Sequence, residues 1–324
     1  MKMNNLISAL AVSACLVTVG TAQAEEVTLN AVSLAPKKVA ISKGFHQFVD
    51  SMNAKFAGEL KIVWRGGPEV IPPFKQAESV RKGAIDLAFT SPSYYSGILP
   101  SSPVSNFSYK SFEEIRDSGF FDRMAELHAE KGLVLLGEVP ATKLQFHIFT
   151  GEKLNSLDDI SGKKIRVFPT VLPIAAALGA SPLVLPMGEI FTAMERGAID
   201  GFIRGAAGWA PQFEGIVGTA VGTGFYRAGF PVLINPKAWG KLSPDLQQRV
   251  HDYTMNELYP AIDASWDDHV AKGDSEWQAA GFGVLELNAE QADALRKLSL
   301  DAAWDSIAKK APDVSAELKA MLVD

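Results

Sequence analysis

A short phrase occurs twice in this chain, as Arg81-Lys82-Gly83-Ala84-Ile85-Asp86 before Leu87-Ala88-Phe89, and as Glu195-Arg196-Gly197-Ala198-Ile199-Asp200 before Gly201-Phe202-Ile203. Each copy ends a helical stretch with a basic residue, places a glycine where a helix C-terminus needs positive φ, and then begins an apolar run of strand type. Both therefore read as α-to-β junctions. Two such junctions, each late in its own α/β segment, predict two similarly built lobes with a cleft between them.

The hydrophobic spacing supports that plan. Strands are expected at 26–32 and 60–64, with a helix at 41–56 carrying Phe45, Phe48, Val49, Met52 and Phe56 on one face. A Gly/Pro turn (Gly66-Gly67-Pro68-Glu69) and a further helix lead to the first repeat, giving the order β, α, β, α, β of a doubly wound sheet. Strands at 133–136 and 144–149 could cross to the second lobe, where strand 164–167, helix 171–178, strand 181–185 and helix 187–196 repeat the arrangement. Residues 231–234 read as a strand returning to the first lobe, and 243–272 as one long bracing helix interrupted only by Pro260. From Ala289 onward the pattern is helical. The expected division is 25–145 plus 230–260 for lobe I and 146–229 plus 261–324 for lobe II.

Residues 1–24 read as a secretory signal peptide: Lys2, an apolar core from Leu6 to about Gly20, and Ala22-Gln23-Ala24 as a cleavage site. Val12-Ser13-Ala14-Cys15 also resembles a lipobox that would acylate Cys15, but Leu16 to Val19 continue the apolar run and favour cleavage after Ala24. A periplasmic location follows. Cys15 is the only cysteine, so cleavage leaves no disulfide, thiol catalysis or cysteine metal site. The formal charge is -6, becoming -7 when Lys2 is removed, with no basic tract. That argues against nucleic acid as a partner.

Enzyme signatures are missing: there is no Gly-x-Ser-x-Gly elbow, P-loop, Gly-x-Gly-x-x-Gly after a strand, or His-Glu-x-x-His. The five histidines are scattered without metal-ligand spacing, and neither a metal nor a cofactor is expected. Asp158-Asp159 and Asp267-Asp268 point different ways along a helix or loop and read as solvated acids. Arg166 stands apart. It alternates with Ile165 and Val167 near the carboxyl end of a strand, where ligands of doubly wound folds collect, and its planar fork fits a carboxylate.

The mature chain resembles the solute-binding proteins of TRAP (tripartite ATP-independent periplasmic) transporters. Gly162 to Pro169, Leu178-Gly179-Ala180-Ser181-Pro182, Glu189 to Met194 leading into Gly197-Ala198-Ile199-Asp200-Gly201, and Gly83-Ala84-Ile85-Asp86 carry the resemblance. It implies a two-lobed periplasmic receptor that closes on an organic acid, holds its carboxylate through Arg166, and hands it to membrane permease subunits. Members often carry a second arginine upstream of this one; here Gln145, Phe146 and His147 stand in its place. Where members often have an amide, this chain has Arg204, which could approach the same cleft. Rings at the expected cleft borders, Tyr94, Tyr95, Phe146, Phe168, Trp209, Phe225 and Tyr226, favour an aromatic or other apolar monocarboxylate. The competing readings are a C4-dicarboxylate or 2-oxo acid receptor, a secreted two-lobed enzyme using His147, and a sensor subunit sharing the same site.

Overall fold

The computed structural model describes residues 25–323; the signal-peptide and Cys15 expectations lie outside the described residues. One continuous sheet of ten strands organises the chain: β1 (Val27–Ser33), β2 (Leu60–Gly66), β3 (Leu87–Phe89), β4 (Val134–Thr150), β5 (Lys164–Val167), β6 (Ser181–Val184), β7 (Gly201–Gly205), β8 (Thr219–Val221), β9 (Tyr226–Ile234) and β10 (Gly283–Leu285). Eight of them follow the order β2-β1-β3-β9-β4-β7-β5-β6, while β8 pairs with β4 and β10. Read from each end, the order is a palindrome. Two parallel strands are followed by the strand after a repeat, then by a long antiparallel strand supplied by the other half of the chain.

The repeats account for this symmetry. Gly83 closes helix Gln76–Lys82 at φ 76° and Gly197 follows helix Ile190–Glu195 at φ 64°, conformations that a side chain would strain. The aspartate that ends each phrase then fastens the sheet. The Asp86 carboxylate accepts from the Asn30 backbone N–H at 2.8 Å and from its side chain at 2.9 Å. Asp200 accepts from the Lys164 backbone N–H at 2.7 Å. Their carbonyls receive the N–H groups of Asn235 and Gly151, the residues that follow the two long strands. Each phrase thus joins a parallel strand to a crossing strand.

The crossing strands β4 and β9 tie the halves together. They pair from Val134↔Ile234 to Phe146↔Tyr226, with register shifts after Leu135 and after Ala141. Such irregularities let a long strand bend between two sheets. The two segments expected at 133–136 and 144–149 are one 17-residue strand.

Apolar burial follows the helix periodicity. Helix Lys43–Lys55 buries Phe45, Phe48, Val49 and Met52, and Phe45 packs between Phe89 and Trp64, each with ring centroids 4.8 Å away. Each such side chain contributes about 1.5–3 kcal/mol. The expected long brace is built differently. The chain stays helical from Pro244 through Ala264 by way of a π turn, Thr254–Leu258, so Pro260 enters at the start of Tyr259–Ala264 without breaking it. The break comes instead at Ser265–Trp266, before Asp267–Val270. Helix Ala289–Lys310, about 33 Å long at 1.5 Å per residue, lies against both Leu172–Ala177 of one half and Val104–Phe107 of the other. Pro312–Leu322 packs on Val104–Phe107 and Phe120–Ala129. Among the described residues no helix is long and apolar enough to cross a membrane.

Candidate functional site

The carboxyl ends of the parallel strands of both halves face one cavity. From the first half come Leu34, Val39, Ala40 and Ile41 after β1, Ser91 and Tyr94 after β3, and Asn106. From the second come Arg166 on β5, Phe168 just after it, Met187 after β6, Arg204 on β7, and Ala207 and Trp209 beyond. Phe146, Tyr226, Ala228 and Phe230 on the crossing strands form the floor, and Trp266 closes one side.

Arg166 is 2 % exposed. Its Nε donates to the Leu185 carbonyl at 2.8 Å and its Nη1 to the Ile203 carbonyl at 3.2 Å, which aims the remaining edge of the guanidinium at the cavity wall. The Tyr94 hydroxyl faces it from the other half. Burial pulls the Arg166 proton affinity down, opposed by Tyr94 and by the more distant charge of Glu189. Burial likewise raises the Tyr94 hydroxyl, against the pull of the two arginines and the Met187 backbone.

Arg204 lines the same cavity, half-buried, with its guanidinium 4.8 Å from the Trp209 ring and 6.0 Å from Phe213. Burial and the like charge of Arg166 lower its proton affinity, and Tyr94 partly offsets them. No ion pair forms with either arginine among the described residues. A guanidinium does not give up its proton near neutral pH, and burying an unpaired cation costs several kcal/mol. Two of them in one cavity make it a candidate anion site.

Rings line its floor. Phe146, Phe168 and Tyr226 pack edge to face with centroids 5.2–5.3 Å apart. The Tyr226 hydroxyl, raised to about 12 by burial, receives Asn106 Nδ2 at 2.8 Å and lies 3.3 Å from Thr170 Oγ1, itself 2.6 Å from Ser93 Oγ. This chain of hydroxyls runs from the loop after β3 to the loop after β5, and so links the two halves.

Seven of the residues singled out by sequence meet here: Arg166, Arg204, Phe168, Trp209, Tyr94, Phe146 and Tyr226. Three do not: Phe225, buried outside the lining, Tyr95 and His147. Tyr95 points away from its neighbour Tyr94 into the interior, where its hydroxyl lies 2.9 Å from His128 Nε2. Burial drives His128 down to about 4, so it stays neutral. His147 is buried against Trp277, at 5.0 Å, with its Nδ1 2.9 Å from the Val221 carbonyl, and it does not line the cavity. The sequence reading missed Trp266, Asn106 and Met187. The signal for Trp266 was hidden because its segment reads as helix with its one interruption at Pro260, six residues upstream. Among the described residues no acidic, histidine or cysteine cluster could hold a metal.

Comparison with known proteins bears on the fold and the family. The family model DctP, bacterial extracellular solute-binding protein, family 7, matches residues 31–311. A monocarboxylate 2-oxoacid-binding periplasmic protein of Nostoc sp. is 24% identical over 271 residues, 78% of this chain and 72% of its own length. A TRAP periplasmic solute-binding protein of Desulfovibrio salexigens, solved with bound orotic acid, superposes with a TM-score of 0.82 over 91% of this chain and 97% of its own, at 19% identity. DctP7, a Bordetella pertussis extracytoplasmic solute receptor binding pyroglutamic acid, gives 0.75 over 92% and 99%, also at 19%. The two structural likenesses establish the two-lobed fold; the family model, matched over residues 31–311, shows that this protein belongs to family 7 of the bacterial extracellular solute-binding proteins, the receptors of TRAP transporters and not enzymes.

Proposed function

We propose that this receptor captures, in the periplasm, a small organic acid with one carboxylate and a flat or apolar body, and delivers it to the permease subunits of a TRAP transporter. The observation that carries the reading is the pair of guanidiniums, Arg166 and Arg204, facing one cavity with no ion-paired carboxylate among the described residues. The ring floor of Phe146, Phe168 and Tyr226 favours an apolar or planar body over a polyhydroxylated one. The acids named for the relatives, 2-oxoacids, orotate and pyroglutamate, all present a carboxylate beside a compact body. A C4-dicarboxylate shared between the two arginines is the competing cargo.

In this reading the halves act as lobes divided near residues 145/146 and 229/230, with β4 and β9 as the hinge and the last helix riding on the first lobe. Closure brings Tyr94 onto Arg166 and excludes water, which strengthens each charge-assisted hydrogen bond.

A thermal-shift screen of the mature protein against aromatic monocarboxylates, 2-oxo acids, C4-dicarboxylates and sugar acids tests the assignment. A solute at 100 times its Kd adds about 2.7 kcal/mol, enough to raise Tm by several degrees. A shift confined to the first two classes is expected; a response only to dicarboxylates or sugar acids would overturn the choice of cargo.

A further inference from the structure

Five of the six tryptophans are buried. Four donate their indole N–H: Trp64 to Ser33 and Gly66, Trp209 to Gly205, Trp277 to Ala206, and Trp304 to Phe107. Trp266 is the exception. It is 1 % exposed and its Nε1 has no acceptor among the described residues, yet it lines the cavity that holds Arg166 and Arg204. Its neighbours do not supply one. The indole nitrogen lies beside Gly44, whose helix has no free carbonyl at that end, and the Lys43 ammonium, itself a donor, sits 5.4 Å from the ring. His269 packs edge-on at 5.3 Å with its own Nε2 buried and unpartnered.

An indole N–H is a donor only, and leaving it buried without an acceptor is costly. Trp266 also occupies the one place where the helical run from Pro244 breaks, between Ala264 and Asp267. It stands beside Gly44 and lines the same cavity as Ala40, Ile41 and the two arginines.

We infer that Trp266 is a specificity-determining residue that donates its indole N–H to a hydrogen-bond acceptor of the solute other than its carboxylate, a carbonyl oxygen. The inference rests on the carboxylate reading above and narrows it: the cargo is an acid with a flat body bearing a second, uncharged acceptor, and a purely hydrocarbon acid is discriminated against.

Titration calorimetry with two matched pairs tests it: orotate against benzoate, and pyroglutamate against cyclopentanecarboxylate. The wild-type protein is expected to bind the carbonyl-bearing member at least about tenfold more tightly in one pair or both, the scale of one lost partner for a buried donor. Trp266→Phe is expected to reduce that ratio below about threefold, chiefly by weakening the carbonyl-bearing acid. The ratio, unlike either affinity alone, is insensitive to a general loosening of the fold. A ratio that survives in Trp266→Phe overturns the assignment. So does a wild-type protein that binds the members of both pairs equally, which would leave the arginine grip standing and needs no variant. Failure of all four acids to bind overturns the inference together with the carboxylate reading.

Discussion

Replacing Arg204 with methionine is expected to weaken binding of the solute acid by about 30-fold to several thousandfold while leaving the ligand-free protein as stable as the wild type, or more so. Truncating one partner of a buried, hydrogen-bonded charge pair costs about 2–5 kcal/mol, which sets the range. The second half of the expectation comes from what Arg204 does without solute. Its guanidinium makes no hydrogen bond among the described residues, rests on Trp209, and is repelled by Arg166. Methionine keeps the packing over the ring and removes the repulsion. Calorimetric titration and a melting curve of the free variant check both parts; undiminished affinity would remove Arg204 from the site. Arg166→Ala, by contrast, should abolish binding and also lower Tm, because the Leu185 and Ile203 carbonyls lose their donor.

Gly208→Ala should weaken binding about tenfold to a hundredfold without touching the solute. Gly208 lies in the loop beyond β7, and a Cβ there would come within 2.3 Å of Ala40 Cβ, in the loop after β1, and 3.1 Å of His269 Nε2. Its φ of +81° adds strain of about 1–2 kcal/mol for an alanine. Ala40 and Gly208 belong to opposite lobes in the proposed division, so the new methyl group holds the cleft ajar, and a receptor that closes less often binds proportionately less. Gly215→Ala is the control: it carries the same kind of strain, at φ +74°, with nothing within 4 Å. Small-angle scattering of the solute-saturated proteins should show Gly208→Ala more extended than both wild type and Gly215→Ala. Equal compactness and affinity in all three would rule out this contact as part of closure.

The features that were legible in the sequence are those fixed by local chemistry. The paired phrases announce their junctions because a glycine with positive φ after a helix, then an aspartate, then an apolar run, leaves few alternatives. What the phrase does not reveal is the target of its aspartate: Asn30 lies 56 residues from Asp86, and only the closed sheet brings them together. Arg166 was legible because strand alternation and the doubly wound rule place it at a strand end. Tyr94 and Tyr95 show the limit. Both follow β3, but in the tight turn Pro92–Tyr95 adjacent side chains diverge, one to the cavity and one to His128. The brace shows another. Pro260 was the visible interruption, but a π turn absorbs it, while the break that matters, at Trp266, carries no glycine or proline to mark it. β4 reads as two separate segments because its register shifts interrupt the alternation, and of β9 only 231–234 reads as strand.

In the proposed reading the guanidiniums of Arg166 and Arg204 together grip the solute carboxylate. Titration of the wild-type protein with the acid that raises Tm most, and with the primary amide of the same acid, which keeps the body and removes the charge, measures that grip. At least a hundredfold loss of affinity is expected for the amide, equivalent to about 2.7 kcal/mol or more; amide and acid bound equally well would rule the grip out.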